Sequence, residues 1–432
     1  MTVSAFAHKL TADSGILRLM DDLGRPLPDG VIPRKLGGGN PARIPEVEKL
    51  YRREMEALLA REDSFEEAIS RYDAPQGRIS FIRTLAEFFT AEYGWDIDER
   101  NIAITNGSQP AFFYPFNMFS GQKPERKTIL FPLVPEYVGY ADQGIDPDTF
   151  VTLPARIQVE AGNRFKYHID IPLVEAYLAN HPETGAMCVS RPTNPTGNVL
   201  TNAEIAALSD LAKRYNIPLM VDNAYGMPFP DIIFPDMLDG TPAPHWDRNT
   251  ILSMSLSKIG LPALRTGIIV AEESIIESLG ALNSIVALAS GSLGQVLAEG
   301  LIQSGELKQC AVSCVRPFYR NKSARAQSYI DEFFSGREYL LHRSEGSLFL
   351  WLYLGDISLT SEELYRKLKE QGVVVVPGEY FFFGREQGSE AETAWKTHPH
   401  RNRCLRLNYA ESAETVREGL RMIARISAEY RK

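Results

Sequence analysis

Six short apolar runs between positions 102 and 271 constrain this chain more than any other feature. Residues 102–105, 128–131, 186–190, 218–222, 250–253 and 266–271 read as strands, and most are apolar throughout instead of alternating with polar residues. A strand of that kind has to be covered on both faces. Helix-period segments lie between several of them. In 202–215, Thr201 stands as a cap with Glu204 three residues on. This alternation predicts an α/β domain built on a mainly parallel sheet.

The texture changes after about residue 295. A long helical stretch, 294–334, leads into L-F-L-W-L-Y-L (348–354), a helix near 361–371, V-V-V-V-P (373–377), R-L-N-Y-A (406–410) and a last helix. That order predicts a smaller α+β domain. The first 45 residues hold no clear sheet and are expected to pack on it, and within them S-G-I-L-R-L-M (14–20) is a candidate pocket lid because the N-terminus is expected near the domain cleft. A chain of 432 residues is too long for one core. The expected partition is an N-terminal segment at 1–48, a large ligand-binding domain at 49–294 and a small domain at 295–432.

The net charge of −9, with no basic run, argues against a nucleic-acid partner. Cys310 and Cys314 stand four apart, but no second pair or nearby histidine completes a zinc set, so the four cysteines read as free thiols and no metal is expected. The N-terminus lacks the apolar core and cleavage site of a signal peptide, and no run approaches a membrane span of about 20 apolar residues. The expectation is a soluble, cytoplasmic protein with no membrane partner.

Ligands of open α/β sheets bind beyond the carboxyl ends of the strands. After 102–105 comes N-G-S-Q, where Gly107, Ser108 and Gln109 open a helix whose free N–H groups suit a phosphate. After 128–131 comes P-L-V-P-E-Y, with Tyr137 placed to stack on a flat ligand. After 186–190, R-P-T-N-P-T-G presents Asn194 from a turn. Asp222 ends its apolar run, with Tyr225 three beyond it. Taken singly, each has a plainer reading: a common helix start, a core tyrosine, a bare turn, a capping carboxylate.

The stretch S-M-S-L-S-K-I-G-L-P-A-L-R-T-G (253–267) is harder to read plainly. Residues 250–271 hold Lys258 and Arg265 as their only charges, among small hydroxyls and apolar side chains. A buried cation must meet an anion or lose its charge. Together these parts fit pyridoxal phosphate: a phosphate on Gly107–Gln109, Ser255, Ser257 and Arg265, a ring over Tyr137, a ring nitrogen on Asp222, a ring hydroxyl near Asn194 and Tyr225, and an aldehyde for Lys258.

The set N-P-T-G, D-N-A-Y, S-L-S-K and R-T-G, in this order over nearly the whole chain, resembles the fold type I pyridoxal-phosphate-dependent aminotransferases of class I/II. The runs L-G-G-G-N-P-A (36–42), Y-D-A-P-Q-G (72–77) and F-P-L-V-P-E-Y-V-G-Y (131–140) extend the similarity. The resemblance implies Lys258 as Schiff-base lysine and proton shuttle, with Asp222 on the pyridine nitrogen. Asn194 and Tyr225 would meet the ring hydroxyl. Arg406, with backbone help from Gly39, would hold the substrate α-carboxylate. It further implies that Tyr72 reaches the phosphate of a neighbouring subunit, making a homodimer with active sites at the interface. The implied reaction is ping-pong transfer of the amino group of an apolar L-amino acid, L-valine, to pyruvate. One departure stands out: lysine and arginine are seven apart here, where the wider family commonly has eight.

Plainer alternatives remain for some of these residues. Arg406 reads also as a structural arginine beside Arg401 and Arg403, and Tyr72 as packing. His398 and His400 read as an anion site or a solvated loop. Two other functions stay open at this point. A cysteine-conjugate β-lyase would share every cofactor residue, as would another aminotransferase of broad alanine, branched-chain or aromatic preference. A non-catalytic sensor on the same fold would need an added DNA-binding domain and basic charge.

Overall fold

A computed structural model describes residues 3–24, 30–122, 124–386 and 398–432. Its large sheet has eight strands, in the order Arg385–Glu386, Phe150–Pro154, Thr128–Val134, Thr184–Ser190, Leu219–Asp222, Thr250–Ser255, Gly267–Val270, Ile102–Thr105. Neighbours run parallel except around Gly267–Val270, which is antiparallel to both of its partners. The central strands are buried along their whole length, as their unbroken apolar runs require. All six predicted strands form. The reversed direction of one is invisible in sequence, because a strand buried on both faces carries the same pattern either way.

The predicted helix at 202–215 forms as Asn202–Arg214, and Thr201 and Glu204 cap it reciprocally. Glu204 also accepts from the backbone N–H of Ile169 at 3.1 Å, tying this helix to the segment before 170. The predicted helix at 294–334 is several elements. Leu293–Gln303 ends near Gly305, whose φ of +77° breaks the ladder. A further turn of helix, a wider turn at Ala311–Val315 and the helix Arg316–Phe333 follow.

A second sheet of six strands runs Val376–Pro377, Cys404–Asn408, Phe349–Leu354, Tyr339–His342, Arg164–His168, Arg156–Glu160. Its last two strands come from the middle of the chain, so this sheet is not made by the C-terminal part alone. Residues 156–168 give no uniform apolar signal, because one strand of the hairpin is largely exposed. The run V-V-V-V-P divides between two sheets: Val373–Val374 pairs with Arg34–Lys35, and Val376–Pro377 pairs with Cys404–Asn408. Chain 36–44 then crosses from the second sheet toward the carboxyl ends of the first. Among the described residues no helix is long and apolar enough to cross a membrane, and no cluster of side chains could hold a metal ion.

Candidate active site

A cavity of about 500 Å³ opens at the carboxyl ends of the large sheet. Gly39, Ser108, Gln109, Tyr137, Asn194, Asp222, Tyr225, Ser255, Ser257, Lys258, Arg265 and Arg406 all line it. Gly107 lies directly behind. A Cβ at Gly107 would stand 2.2 Å from Nη2 of Arg265, and its φ of +88° suits glycine. Ser255 ends its strand and Ser257 follows in a short 3₁₀ turn, where Ser255 Oγ accepts from Ser257 N at 3.1 Å. Arg265 takes the left-handed backbone conformation and donates to Pro262 O at 3.2 Å. Its guanidinium therefore lies across the start of the helix Ser108–Met118, with Nη1 3.5 Å from the Ser257 hydroxyl.

Asp222 ends the strand Leu219–Asp222 and is buried. Its carboxylate accepts hydrogen bonds from the hydroxyl of Tyr140 and, at 2.9 Å, from Ala224 N. Burial raises its pKa, against the pull of those two donors and of Lys258. Tyr137 meets Tyr140 edge to face, with centroids 5.1 Å apart. Behind them, burial pushes Glu136 up to about 8, although Ser190 N, Ser190 Oγ and Tyr137 N donate to it.

Lys258 Nζ donates to Gly39 O at 2.6 Å and lies 5.6 Å from the centre of the Tyr225 ring. Burial, Arg406 and Arg265 draw its pKa down to about 8, and Asp222 opposes them. Arg406 enters from the strand Cys404–Asn408 and is 2% exposed. It donates to Asn194 Oδ1 at 2.9 Å and to Gly37 O at 2.6 Å, sandwiched near Phe349 and Phe381. Burial lowers its pKa to about 10. Asn408 donates to Gly38 O at 2.6 Å. Three consecutive carbonyls, Gly37 to Gly39, are thus held by Arg406, Asn408 and Lys258. Glycines keep that backbone within reach of all three.

A sequence profile described as "Aminotransferase class I and II" matches residues 47–423. The valine–pyruvate aminotransferase of Escherichia coli K12 is 41% identical over 428 residues, covering 98% of this chain and 97% of that protein. A putative amino-acid aminotransferase from Psychrobacter arcticum 273-4 has the same fold, with a TM-score of 0.93 and 40% identity, over 100% of this chain and 99% of that one. The valine–pyruvate aminotransferase of Salmonella typhimurium LT2 superposes with a TM-score of 0.83 at 40% identity, over 96% and 98%. This chain is a class I and II aminotransferase.

Enzymes of that class depend on pyridoxal phosphate, and the cavity suits it. Among the described residues, neither Arg265 nor Arg406 forms an ion pair, and Arg406 Nε is buried without a hydrogen-bond partner. Two guanidinia and a desolvated lysine thus converge on a cavity with one carboxylate, Asp222. Such a charge pattern calls for two anions and an electrophile. Phosphate, carboxylate and aldehyde answer it.

Tyr72, expected at a neighbouring subunit's phosphate, is 84% exposed and lies outside its own chain's cavity. His400 forms neither an anion site nor a solvated loop: it is buried, with Nδ1 2.6 Å from the Tyr167 hydroxyl, and burial holds its pKa at about 3. Sequence reasoning missed Tyr140, Glu136 and Leu23, whereas the segment 14–20, expected as a pocket lid, supplies Ile16, Leu19 and Met20 to the cavity wall. The doubled tyrosine in Y-V-G-Y was the one signal for Tyr140, and it did not say which ring turns inward.

Proposed function

We propose that this aminotransferase moves the amino group of an apolar L-amino acid, L-valine, to pyruvate, giving 3-methyl-2-oxobutanoate and L-alanine. The observation that carries this reading is that Lys258 and a buried Arg406 without an ion pair line one cavity, to which the helix Gly15–Gly24 adds the apolar Ile16, Leu19, Met20 and Leu23. The likeness to valine–pyruvate aminotransferases over nearly the full chain supports it.

Pyridoxal phosphate, when bound, supplies an aldehyde for the transferred nitrogen and a ring that takes up the electron pair left at the α-carbon. In this reading Ser108, Gln109, Ser255, Ser257 and Arg265 hold its phosphate, with Gly107 leaving the space that Arg265 needs. Asp222 would accept from the ring nitrogen, Tyr137 would hold the ring, and Asn194 and Tyr225 would serve the ring hydroxyl. Arg406 engages the α-carboxylate through a planar fork, with Gly39 alongside, which fixes the α-carbon near Lys258. Lys258 Nζ takes the proton from the donor's α-carbon and, in the reverse half, returns one to the acceptor's. A lysine drawn down to about 8 can serve both ways near neutral pH.

The functional unit in this reading is a cytoplasmic homodimer. A second opening of about 570 Å³ lies across Lys258–Pro262, lined by Pro41, Ile44, Val47, Tyr51, Leu261 and Val315 among others. Its apolar residues, ringed by Arg43, Glu48, Lys49 and Arg52, support a partner subunit placed over the catalytic loop, as does the separately exposed ring of Tyr72. The test is product analysis with L-valine and pyruvate. Alanine formed in step with 3-methyl-2-oxobutanoate supports transamination. Release of ammonia from a cysteine conjugate without need of a second oxo acid would replace it with the lyase.

A further inference from the structure

Once the cofactor's contacts and Arg406 are assigned, the rest of the cavity wall is Asn40, Ser190, Pro192, Ala224 and Pro262 together with the helix Gly15–Gly24. That helix contributes Ile16, Leu19, Met20 and Leu23, the large apolar side chains of this remainder. Their spacing of three, four and seven residues places them on one helical face. Leu19 is buried, Ile16 and Leu23 are half-buried, and Met20 is 60% exposed at the mouth.

The polar residues of this helix point elsewhere and anchor it. Asp22 accepts from Tyr365 Oη at 2.5 Å and from the ammonium of Lys369, both on the helix Ser361–Glu370. Arg18 donates to Asp13 from Nε at 2.9 Å and reaches Glu362 at 3.7 Å. Lys35 Nζ donates to Leu23 O at 2.7 Å, and Gly15 fits against Tyr380 and Val138. Among the described residues the cavity's cations are Lys258, Arg265 and Arg406. The one arginine of this helix therefore spends its charge away from the cavity.

We propose that Leu19, Ile16 and Leu23 form the surface that reads the donor's side chain, with Met20 setting the depth at the rim. With the α-carboxylate on Arg406 and the α-hydrogen toward Lys258, the third substituent of the α-carbon faces this helix. Four aliphatic side chains accept a branched or straight apolar group and leave a side-chain carboxylate without a partner. The assignment rests on the proposed function and goes further by naming the specificity residues.

The test compares kcat/KM for alanine, 2-aminobutyrate, valine and leucine in the wild type, Leu19→Ala and Met20→Trp. Calorimetric binding of the 2-methyl analogues, which have no α-proton to lose, gives a readout free of turnover. Leu19→Ala is expected to raise the leucine-to-alanine ratio about tenfold, since apolar pockets discriminate by small steps per methylene. Met20→Trp is expected to lower it, and the binding constants should move in parallel. Ratios unchanged in both variants, with rates falling uniformly, overturn the assignment. If Leu19→Ala does not fold, the exposed-rim variant Met20→Trp decides alone. A wild type inactive on the whole series removes the functional reading, and this assignment with it.

Discussion

Lys258 is the residue on which the account turns, and its environment sets a pH dependence. Its folded pKa lies near 8, lowered by burial and by two guanidinia. Reaction with an aldehyde needs the neutral amine, so capture of pyridoxal phosphate by the cofactor-free chain should quicken about tenfold per pH unit up to 8 and then level. A rate still climbing at pH 10 would mean an unshifted lysine. Arg406→Lys keeps the charge and loses the fork. It should cost on the order of 2 kcal/mol in kcat/KM, about thirtyfold, with the loss appearing for donor and acceptor alike. Equal kinetics would return Arg406 to a structural role. Tyr140→Phe removes a donor from Asp222 and leaves the carboxylate buried with less support. Its expected signature is a shifted pH midpoint of the bound cofactor's spectrum together with a lower kcat. Lys258 and Asp222 were legible because a charge inside an apolar run is anomalous. Tyr140 was not, since a tyrosine among Phe112, Phe116 and Phe131 looks like core until its hydroxyl is placed.

At the scale of elements, the site depends on how strands end. Gly107→Ala would press a methyl group into the Arg265 guanidinium and strain a backbone at positive φ. Cofactor affinity should fall about tenfold or more while the fold survives, because the clash is with the end of a flexible side chain. An unchanged dissociation constant would show that Arg265 is not in the phosphate cradle. The cap at Thr201 is a stability prediction: Thr201→Ala should cost about 1 kcal/mol and lower the thermal midpoint, with Thr201→Ser largely neutral. That helix was readable from its box, as were the six buried strands from their short apolar runs. The hairpin Arg156–Glu160 with Arg164–His168 was not, because its half-exposed strands carry lysine, arginine and glutamine. The break after Gln303 depends on one glycine, Gly305, inside an otherwise helical pattern, and the wider turn at Ala311–Val315 has no glycine to mark it.

The whole molecule couples its second sheet to the catalytic loop through Gly37–Gly39, and the proposed homodimer is testable at the exposed Tyr72. Tyr72→Phe should weaken cofactor binding about tenfold in a species that still sediments as a dimer, the loss expected for one hydrogen bond to a charged group. A monomer with full affinity would remove the partner from the site. Most of the two-sheet plan was foreseeable from the order of strand and helix signals. The crossing of 36–44 between the sheets was not, because glycines carry no periodicity. Visible absorption of the purified protein, followed as L-valine and then pyruvate are added, tests the role of Lys258 most directly. Valine should remove the band of the lysine-bound cofactor and pyruvate restore it, and Lys258→Ala should show neither change. A band that valine leaves untouched would contradict the proposed donor, and no band after adding pyridoxal phosphate would contradict the site itself.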